Sequence, residues 1–377
     1  MKNILTREEY LDISVLSEPL ACVMHAYRRL PETLHIDVIT ILGAGPIGTL
    51  HALYAHRLYP LASIQMIEPD DTRRELIKGL LPFVSVFREY NSFDLSKSNL
   101  TVVATSCPKA QTSAIEVSSE YGIVILFSGI NHKKKDELPI YEGQDLEHIH
   151  RNEEVVVISK NIRLIGSSGY HPAEIDLSLE ELINHYHYYK VVQTEVVNGL
   201  GNNIIGNQTL LEPAIIKLLN DQNFSQNYLK VLFRHEPFPS RETRVIFTNN
   251  GVGLDYFNNL KPERGEVLVR ILRSSICQTD RRVLQGLKNN DIKEGTILGH
   301  EGTGIIVSVG EGVNEELIGK TCAILPHYLA KEDSCNQIGM GYLSPDMKHL
   351  GIHINGCFAT LATFPLCCIR EHLHFIN

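Results

Sequence analysis

The sequence predicts an α/β protein in which a doubly wound parallel sheet is followed by a compact, mostly-β unit. Three observations predict it. Between about residues 36 and 175, short apolar runs alternate with helical stretches, the pattern of a parallel sheet covered on both faces. A glycine-rich loop, Gly43-Ala44-Gly45-Pro46-Ile47-Gly48, sits where the first apolar run meets the first helix after it. From about residue 237 the pattern changes to short strands broken by Gly, Pro and Asn. A length of 377 residues suits two or three domains.

Taken in order, residues 1–30 read as a short lead-in and then an amphipathic helix, with Pro19 early and Leu20, Val23, Met24 and Tyr27 on one stripe. The apolar runs are Val38–Leu42, Ser63–Ile67, Leu100–Ala104 and Ile123–Phe127, with a later one at Ile162–Ile165. Thr49–Leu58 and Thr72–Leu80 are helix-length segments between them. His235-Glu236-Pro237-Phe238-Pro239-Ser240 reads as a connector. Beyond it, Val245–Thr248, Glu266–Leu272 and Gly304–Val309 read as strands. No internal repeat is visible.

Composition narrows the function. Lys plus Arg is 35 and Asp plus Glu is 44, and the net charge of −9 argues against binding nucleic acid or an anionic membrane. The chain is 43% apolar, too much for disorder, yet no stretch approaches the roughly 20 apolar residues of a membrane span. The N-terminus turns acidic at Glu8-Glu9, unlike a secretory signal, and the eight cysteines lack a disulfide-framework spacing. A soluble cytoplasmic enzyme is the expectation.

The glycine loop carries the first chemistry. Its first glycine permits a tight turn, the second admits a pyrophosphate close to the backbone, and the third lets helix pack on strand. The helix start behind Pro46 and Ile47 offers unpaired N–H groups to phosphates. Glu68, at the end of the next apolar run, suits the ribose hydroxyls of NAD and repels the 2′-phosphate of NADP. Arg73 and Arg74 lie close by and soften that preference. The plain alternative is a Gly-rich turn with Glu68 as a solvated strand end.

Three separated segments offer metal ligands. Cys277 follows a strand in Ile276-Cys277-Gln278-Thr279-Asp280; Gly299-His300-Glu301-Gly302 pairs an imidazole with a carboxylate; Ser17-Glu18-Pro19-Leu20 puts a carboxylate at a helix start. Thiolate, imidazole and carboxylate together suit zinc, and a catalytic zinc keeps one position open, where an alcohol would lose its proton more easily. Thr279 can relay that proton, and Asp280 can orient His300. Taken singly, each has a plain reading: Cys277 as a core residue, His300-Glu301 as structural, Glu18 as part of a helix turn.

With these residues the chain resembles the zinc-dependent medium-chain alcohol and polyol dehydrogenases. Gly299-His300-Glu301 with Gly304, Gly310 and Val313 match that family's zinc signature, and Glu266-Val267-Leu268-Val269-Arg270 leading to Cys277 resembles its first ligand segment. Ser17-Glu18-Pro19-Leu20-Ala21 looks like the helix start of the sorbitol-dehydrogenase-like branch. The resemblance implies a Rossmann cofactor domain over 30–190 and a GroES-like catalytic domain from 1–29 and 191–377. It further implies zinc on Cys277, His300 and Glu18, with Glu301 as a fourth or alternating ligand, and NAD on Gly43, Gly45, Pro46, Ile47, Gly48, Glu68 and Arg73. By the same analogy the protein is a homodimer or homotetramer acting on a small-molecule alcohol or ketone.

The order of parts departs from that family. The β-rich part, which comes first there, follows the cofactor part here: Tyr228–Phe233 resembles the family's C-terminal strand and Thr243–Phe247 its first. This implies a circular permutant. The stretch from Pro326 to Phe358 holds only Cys335 and Cys357, too few for the family's four-cysteine structural zinc, so one catalytic zinc is expected. Adjacent Cys367 and Cys368, on opposite faces of a strand, read as core residues.

Other candidates read plainly. His148, His150, His185 and His187 read as surface residues, and Lys133-Lys134-Lys135 as a solvated loop. Gly166-Ser167-Ser168-Gly169 is either a turn or part of a nicotinamide pocket. His327 and Tyr328 fall where the family places substrate-facing residues. The leading expectation is an NAD-dependent zinc dehydrogenase of a secondary alcohol in a polyol, sugar or cyclitol. A zinc-free NADPH-dependent enone or quinone reductase, and a silent dinucleotide binder, stay open beside it.

Overall fold

A computed structural model describes residues 5–32, 35–91, 95–129, 140–198, 211–235, 242–286, 292–328, 343–344 and 346–371. Lys133–Lys135, Cys335 and residues 236–240 of the connector lie outside them. The chain opens with two helices, α1 (Arg7–Ser14) and α2 (Ser17–Arg28). The expected lead-in is thus itself helical. The Thr6 hydroxyl accepts the Glu9 N–H at 3.2 Å while the Glu9 carboxylate accepts the Thr6 N–H at 2.9 Å, a reciprocal cap that starts α1.

Then follow β1 (Val38–Leu42), α3 (Pro46–Leu58), β2 (Ser63–Ile67), α4 (Asp71–Leu80), β3 (Val84–Phe87), β4 (Ser98–Val103), α5 (Pro108–Val117) and β5 (Ser118–Leu126). A small hairpin, β6 (Ile140–Tyr141) and β7 (Gln144–Asp145), precedes α6 (Leu146–Arg151), β8 (Val155–Val157) and β9 (Arg163–Gly166). The sheet order is β3-β2-β1-β4-β5-β9-β8, parallel except where β8 runs antiparallel to β9. Side chains alternate between its faces. Ile39, Ile41, Leu100, Val102, Ile123 and Ile125 pack with α2 and α3. Leu42, Val103, Val124 and Leu126 pack on the other side with Ile115 of α5 and Ile149 of α6. Both faces are covered, which is why these strands read as apolar runs.

After α7 (Ala173–Asn184) and α8 (Tyr186–Tyr189) the chain builds a second sheet. Its elements are β10 (Gln193–Asn198), α9 (Leu211–Leu219), α10 (Phe224–Asn227), β11 (Lys230–Arg234), the hairpin β12 (Glu242–Thr248) and β13 (Gly251–Phe257), β14 (Glu266–Ser275), α11 (Gln278–Leu284), β15 (Glu301–Val309), β16 (Thr321–Ile324), the pair β17 (His327–Tyr328) and β18 (Lys348–His349), β19 (Leu361–Pro365) and β20 (Ile369–Glu371). The order is β10-β11-β14-β15-β16-β20, with β19 also on β14. Val231, Phe233, Val267, Val269, Ile271, Ile306, Phe358 and Phe364 fill its core.

The two leading helices join these units. Buried Asp12 of α1 accepts Arg273 Nε of β14 at 2.6 Å and Arg234 Nε of β11 at 3.1 Å. Leu20, Val23 and Tyr27 of α2 belong to the apolar cluster of the parallel sheet. Ala21 packs instead with Tyr170, Ile175, Leu179 and Leu325, the last from the second sheet. Helix α2 therefore lies at the seam. Among the described residues no helix is long and apolar enough to cross a membrane.

Candidate active site

Strand register assembles the site. Antiparallel β14 and β15 pair Ser275 with Glu301, so Cys277, just past one strand, and His300, just before the other, leave at the same end. Strand β11 pairs Leu232 with Ser275, which brings Lys230 to that end too. Potential donor atoms of Cys277, His300 and Glu301 lie within 4.8 Å of one another, the one such three-residue set among the described residues. Glu18, from the first turn of α2, faces the same cavity but stands outside this set.

Charge is tightly held here. Lys230 Nζ donates to both Glu301 carboxylate oxygens at 2.7 Å, and the Ser275 hydroxyl donates to one of them. Burial is the largest single influence and works against the charged Lys230, but Glu301, Cys277 and Glu18 together outweigh it and the ammonium is favoured. Asp280 accepts the Cys277 N–H at 2.8 Å and lies 3.3 Å from His300 Nδ1. Burial again opposes the cation at His300, while Asp280 and then Cys277 raise its pKa well above the usual value. Burial and the Glu301 charge push Glu18 upward, and the Cys22 thiol, one turn along α2, donates to Glu18 Oε1 at 3.4 Å.

A cavity of about 240 Å³ holds this cluster, with Phe127, His327, His349 and Ile352 on its other walls. Beside it runs a larger cleft of about 670 Å³, and both share Pro46, Ile47, Cys277, Gln278 and Thr279. Gly43, Gly45, Glu68 and Arg73 line the cleft. Gly43 has φ of +99°, and a side chain on Gly48 would put its Cβ 1.9 Å from the Gly43 carbonyl oxygen. A Cβ on Gly45 would meet nothing within 4 Å, so the loop leaves open space at the start of α3. Glu68 Oε2 accepts the Ala44 N–H and Oε1 the Asp70 N–H, each at 3.0 Å. Arg73 Nη1 donates to the Tyr228 carbonyl at 2.9 Å. Arg74 instead donates to the carbonyls of Glu68 and Pro69 at 2.7 Å.

Such an arrangement can hold one borderline-soft cation on sulfur, nitrogen and oxygen donors. It can also take an elongated anionic ligand along the cleft, with its phosphates at a helix start.

Several sequence expectations differ from what the structure places. His150 is buried, not a surface residue, because its ring Nδ1 lies 2.8 Å from the Leu126 carbonyl oxygen under the sheet. His148 sits by Glu154 at 3.2 Å and His185 by Glu181 at 3.9 Å, and neither joins a metal-capable set among the described residues. Gly166–Gly169, open between a turn and a pocket wall, begins at the end of β9, and the Glu153 carboxylate accepts the Ser168 N–H at 2.7 Å. Cys357 is buried and donates to the Glu301 carbonyl at 3.3 Å. Cys367 is exposed, not core, because Leu366–Cys368 form a 3-10 turn where a strand was expected. Sequence reasoning passed over Lys230, Ser275 and Cys22. Only Cys22 carried a local signal, its spacing of one helical turn from Glu18.

Comparison with known proteins gives a partial match. Residues 263–369 match the family described as the alcohol dehydrogenase GroES-like domain. An S-(hydroxymethyl)glutathione dehydrogenase of Synechocystis is 43% identical over 77 residues, covering 20% of this chain and 19% of that protein. An L-threonine 3-dehydrogenase of Pyrococcus horikoshii is 31% identical over 107 residues, covering 28% of this chain and 31% of its own length. The chain thus spans less than a third of either relative. Among solved structures, an L-idonate 5-dehydrogenase of Escherichia coli aligns over 49% of this chain and 50% of its own, with 18% identity and a TM-score of 0.36.

Proposed function

We propose that the chain, carrying a GroES-like domain of the alcohol dehydrogenase type over residues 263–369, is a zinc- and NAD-dependent oxidoreductase. It interconverts a secondary alcohol of a polyol, sugar or cyclitol and the matching ketone by hydride transfer. The observation that carries this reading is the shared wall: the cavity holding Cys277, His300 and Glu301 and the glycine-loop cleft have Pro46, Ile47, Cys277, Gln278 and Thr279 in common. Cofactor and substrate sites that must exchange a hydride need such a wall.

Zinc fits the donors present. Cys277, His300 and Glu18 would hold it, with Glu301 as a fourth or alternating ligand, and it would supply Lewis-acid polarisation of the substrate oxygen. Asp280 holds the His300 ring from behind, and Lys230 with Ser275 fixes the Glu301 carboxylate. Thr279, on both walls, carries the substrate proton outward through its hydroxyl. NAD fits the cleft: Gly45 leaves room for its pyrophosphate at the start of α3, and Glu68 takes the ribose hydroxyls. Arg73 borders the same space.

The domain plan belongs to the proposal, with a cofactor domain over 30–190 and a catalytic domain from 1–29 and 191–377, in circularly permuted order. The pairing of β11 with β14 in one sheet supports it, since a strand like the family's last lies beside one of its early strands. A cytoplasmic homodimer or homotetramer completes the reading. The edge strand β8, with Val155 and Val157 exposed, supports association through the parallel sheet.

Metal content of the dialysed full-length protein, followed by NAD-linked oxidation of a polyol panel, tests the reading. About one zinc per chain and turnover of a polyol are expected. Folded protein purified without chelator and holding no zinc would overturn it in favour of the metal-free reductase or the silent binder.

A further inference from the structure

We infer that Arg282 is a cofactor-binding residue whose guanidinium holds the dinucleotide's pyrophosphate from the β-rich side of the cleft, an assignment that rests on the dinucleotide reading of that cleft. Helix α11 starts just past Cys277, where Asp280 accepts the Cys277 N–H at 2.8 Å. Successive helical residues stand about 100° apart around the axis, so Arg281 and Arg282 leave in different directions. Arg281 turns to α10 and the residues before it. It donates to the Ser225 hydroxyl at 2.8 Å and the Asp221 carbonyl at 2.7 Å, with its guanidinium 5.0 Å from the Phe224 ring centre. Arg282 instead lines the 670 Å³ cleft. It is half-buried, and among the described residues no hydrogen bond or ion pair engages it.

The carboxylates of the cleft are engaged elsewhere. Glu68 accepts the Ala44 and Asp70 N–H groups. Asp70 accepts the Arg73 N–H at 2.8 Å and Gln226 Nε2 at 3.1 Å. Burial disfavours the charge of both cleft arginines; Glu68 and Asp70 counter it at Arg73, whereas Cys277 counters it at Arg282. Arg73 thus belongs to the Glu68 end and Arg282 to the Cys277 end. A guanidinium stays protonated at any working pH, and a half-buried one without an anion is a costly arrangement unless a ligand supplies that anion.

A dinucleotide supplies it at the right place. Between the adenosine ribose at Glu68 and the hydride-bearing ring at the shared wall, its anionic group is the pyrophosphate. The planar fork of an arginine matches phosphate oxygens two at a time. Among the described residues, the walls of the 240 Å³ cavity do not include Arg282, so the ligand it meets is the cofactor and not the alcohol. Gly45 comes from the parallel-sheet unit and Arg282 from the β-rich unit. Holding one pyrophosphate from both sides makes cofactor binding a tie between the two units.

The test uses the full-length, zinc-supplied protein. NADH is titrated by its fluorescence, and ADP-ribose and adenosine by competition against it, in wild type, Arg282→Met and Arg282→Lys. Arg282→Met should weaken NADH and ADP-ribose about tenfold, the usual scale for losing a charged hydrogen bond. Adenosine, which carries no phosphate, should bind all three proteins alike. Arg282→Lys should recover part of the loss, because it restores the charge without the fork. Wild-type affinity for ADP-ribose in Arg282→Met, or an equal loss for adenosine, would overturn the assignment while leaving the dinucleotide reading intact. Wild-type protein that binds neither NADH nor ADP-ribose would overturn that reading and the assignment with it. Should Arg282→Met fail to fold, Arg282→Gln takes its place with the same expected losses.

Discussion

Lys230 and Glu301 form a buried ion pair across an intervening strand: Nζ lies 2.7 Å from both carboxylate oxygens, on β11 and β15, with β14 between. Their side chains are only 4% and 1% exposed, so water compensates for neither charge. Removing one partner strands the other. Lys230→Met should therefore cost about 3–5 kcal/mol in denaturant unfolding. The double variant Lys230→Met with Glu301→Gln should recover most of that loss. Additive penalties would show that the pair does not act as a unit.

Metal retention separates the roles of Cys277 and Asp280. Cys277→Ser should abolish turnover and lose the metal while NAD affinity stays within a few-fold, because the glycine loop is untouched. Asp280→Asn should keep the metal but weaken it by about 10–100-fold in a competition titration, since it removes the charge beside the His300 ring while leaving an amide oxygen that can still accept the Cys277 N–H. Equal loss of NAD and metal in Cys277→Ser would refute the division of labour.

Those roles trace back unevenly to the sequence. Val38–Leu42 and Ser63–Ile67 are visible as strands because both faces are covered and a Gly turn or a Glu closes each run. Cys277, His300 and Glu301 are visible through their motif context. Lys230 is not, since a lysine beside apolar residues reads as solvated, and its partner lies 71 positions away. The Asp12 contacts with Arg273 and Arg234 are hidden for the same reason. Helix α1 is a different kind of miss: its Thr6–Glu9 cap is local and present in the letters, but the apolar stripe behind it is short. The turn at 366–368 replaces the expected strand and leaves Cys367 exposed beside buried Cys368.

Glu68 ties the glycine loop to the end of β2 through the Ala44 N–H at 3.0 Å, where it also borders the cleft. Glu68→Ala should weaken NAD and raise the use of NADP relative to it, since the repelling carboxylate is gone. The ratio of kcat/KM values for the two cofactors measures this. An unchanged ratio would mean that the acid serves the loop alone.

His25 sits between two carboxylates, with Nδ1 2.9 Å from Glu174 and Nε2 3.2 Å from Glu153. Burial opposes its charge, yet the two partners raise its pKa to about 9. Its stabilisation is therefore complete below the unfolded value of about 6.5 and is lost as pH rises through 9. His25→Gln should narrow the stability difference between neutral and alkaline pH by on the order of 2–3 kcal/mol, read from unfolding curves. A wild-type profile flat over that range would contradict the pairing.

His51 presents the opposite case. It is wholly buried in α3, edge-on to Phe127 at 4.5 Å between ring centres, and among the described residues neither ring nitrogen has a hydrogen-bond partner. Burial alone drives its pKa down to about 3. The folded chain keeps it neutral while the unfolded chain protonates it, so stability falls as pH drops below about 6.5. His51→Leu removes both the unpaired nitrogens and that proton uptake. The variant should be more stable than wild type by about 1 kcal/mol at neutral pH, and the gap should widen to about 3 kcal/mol at pH 5. A constant gap would show that the imidazole stays neutral in the unfolded chain too, and a loss at both pH values would reveal a partner for the ring.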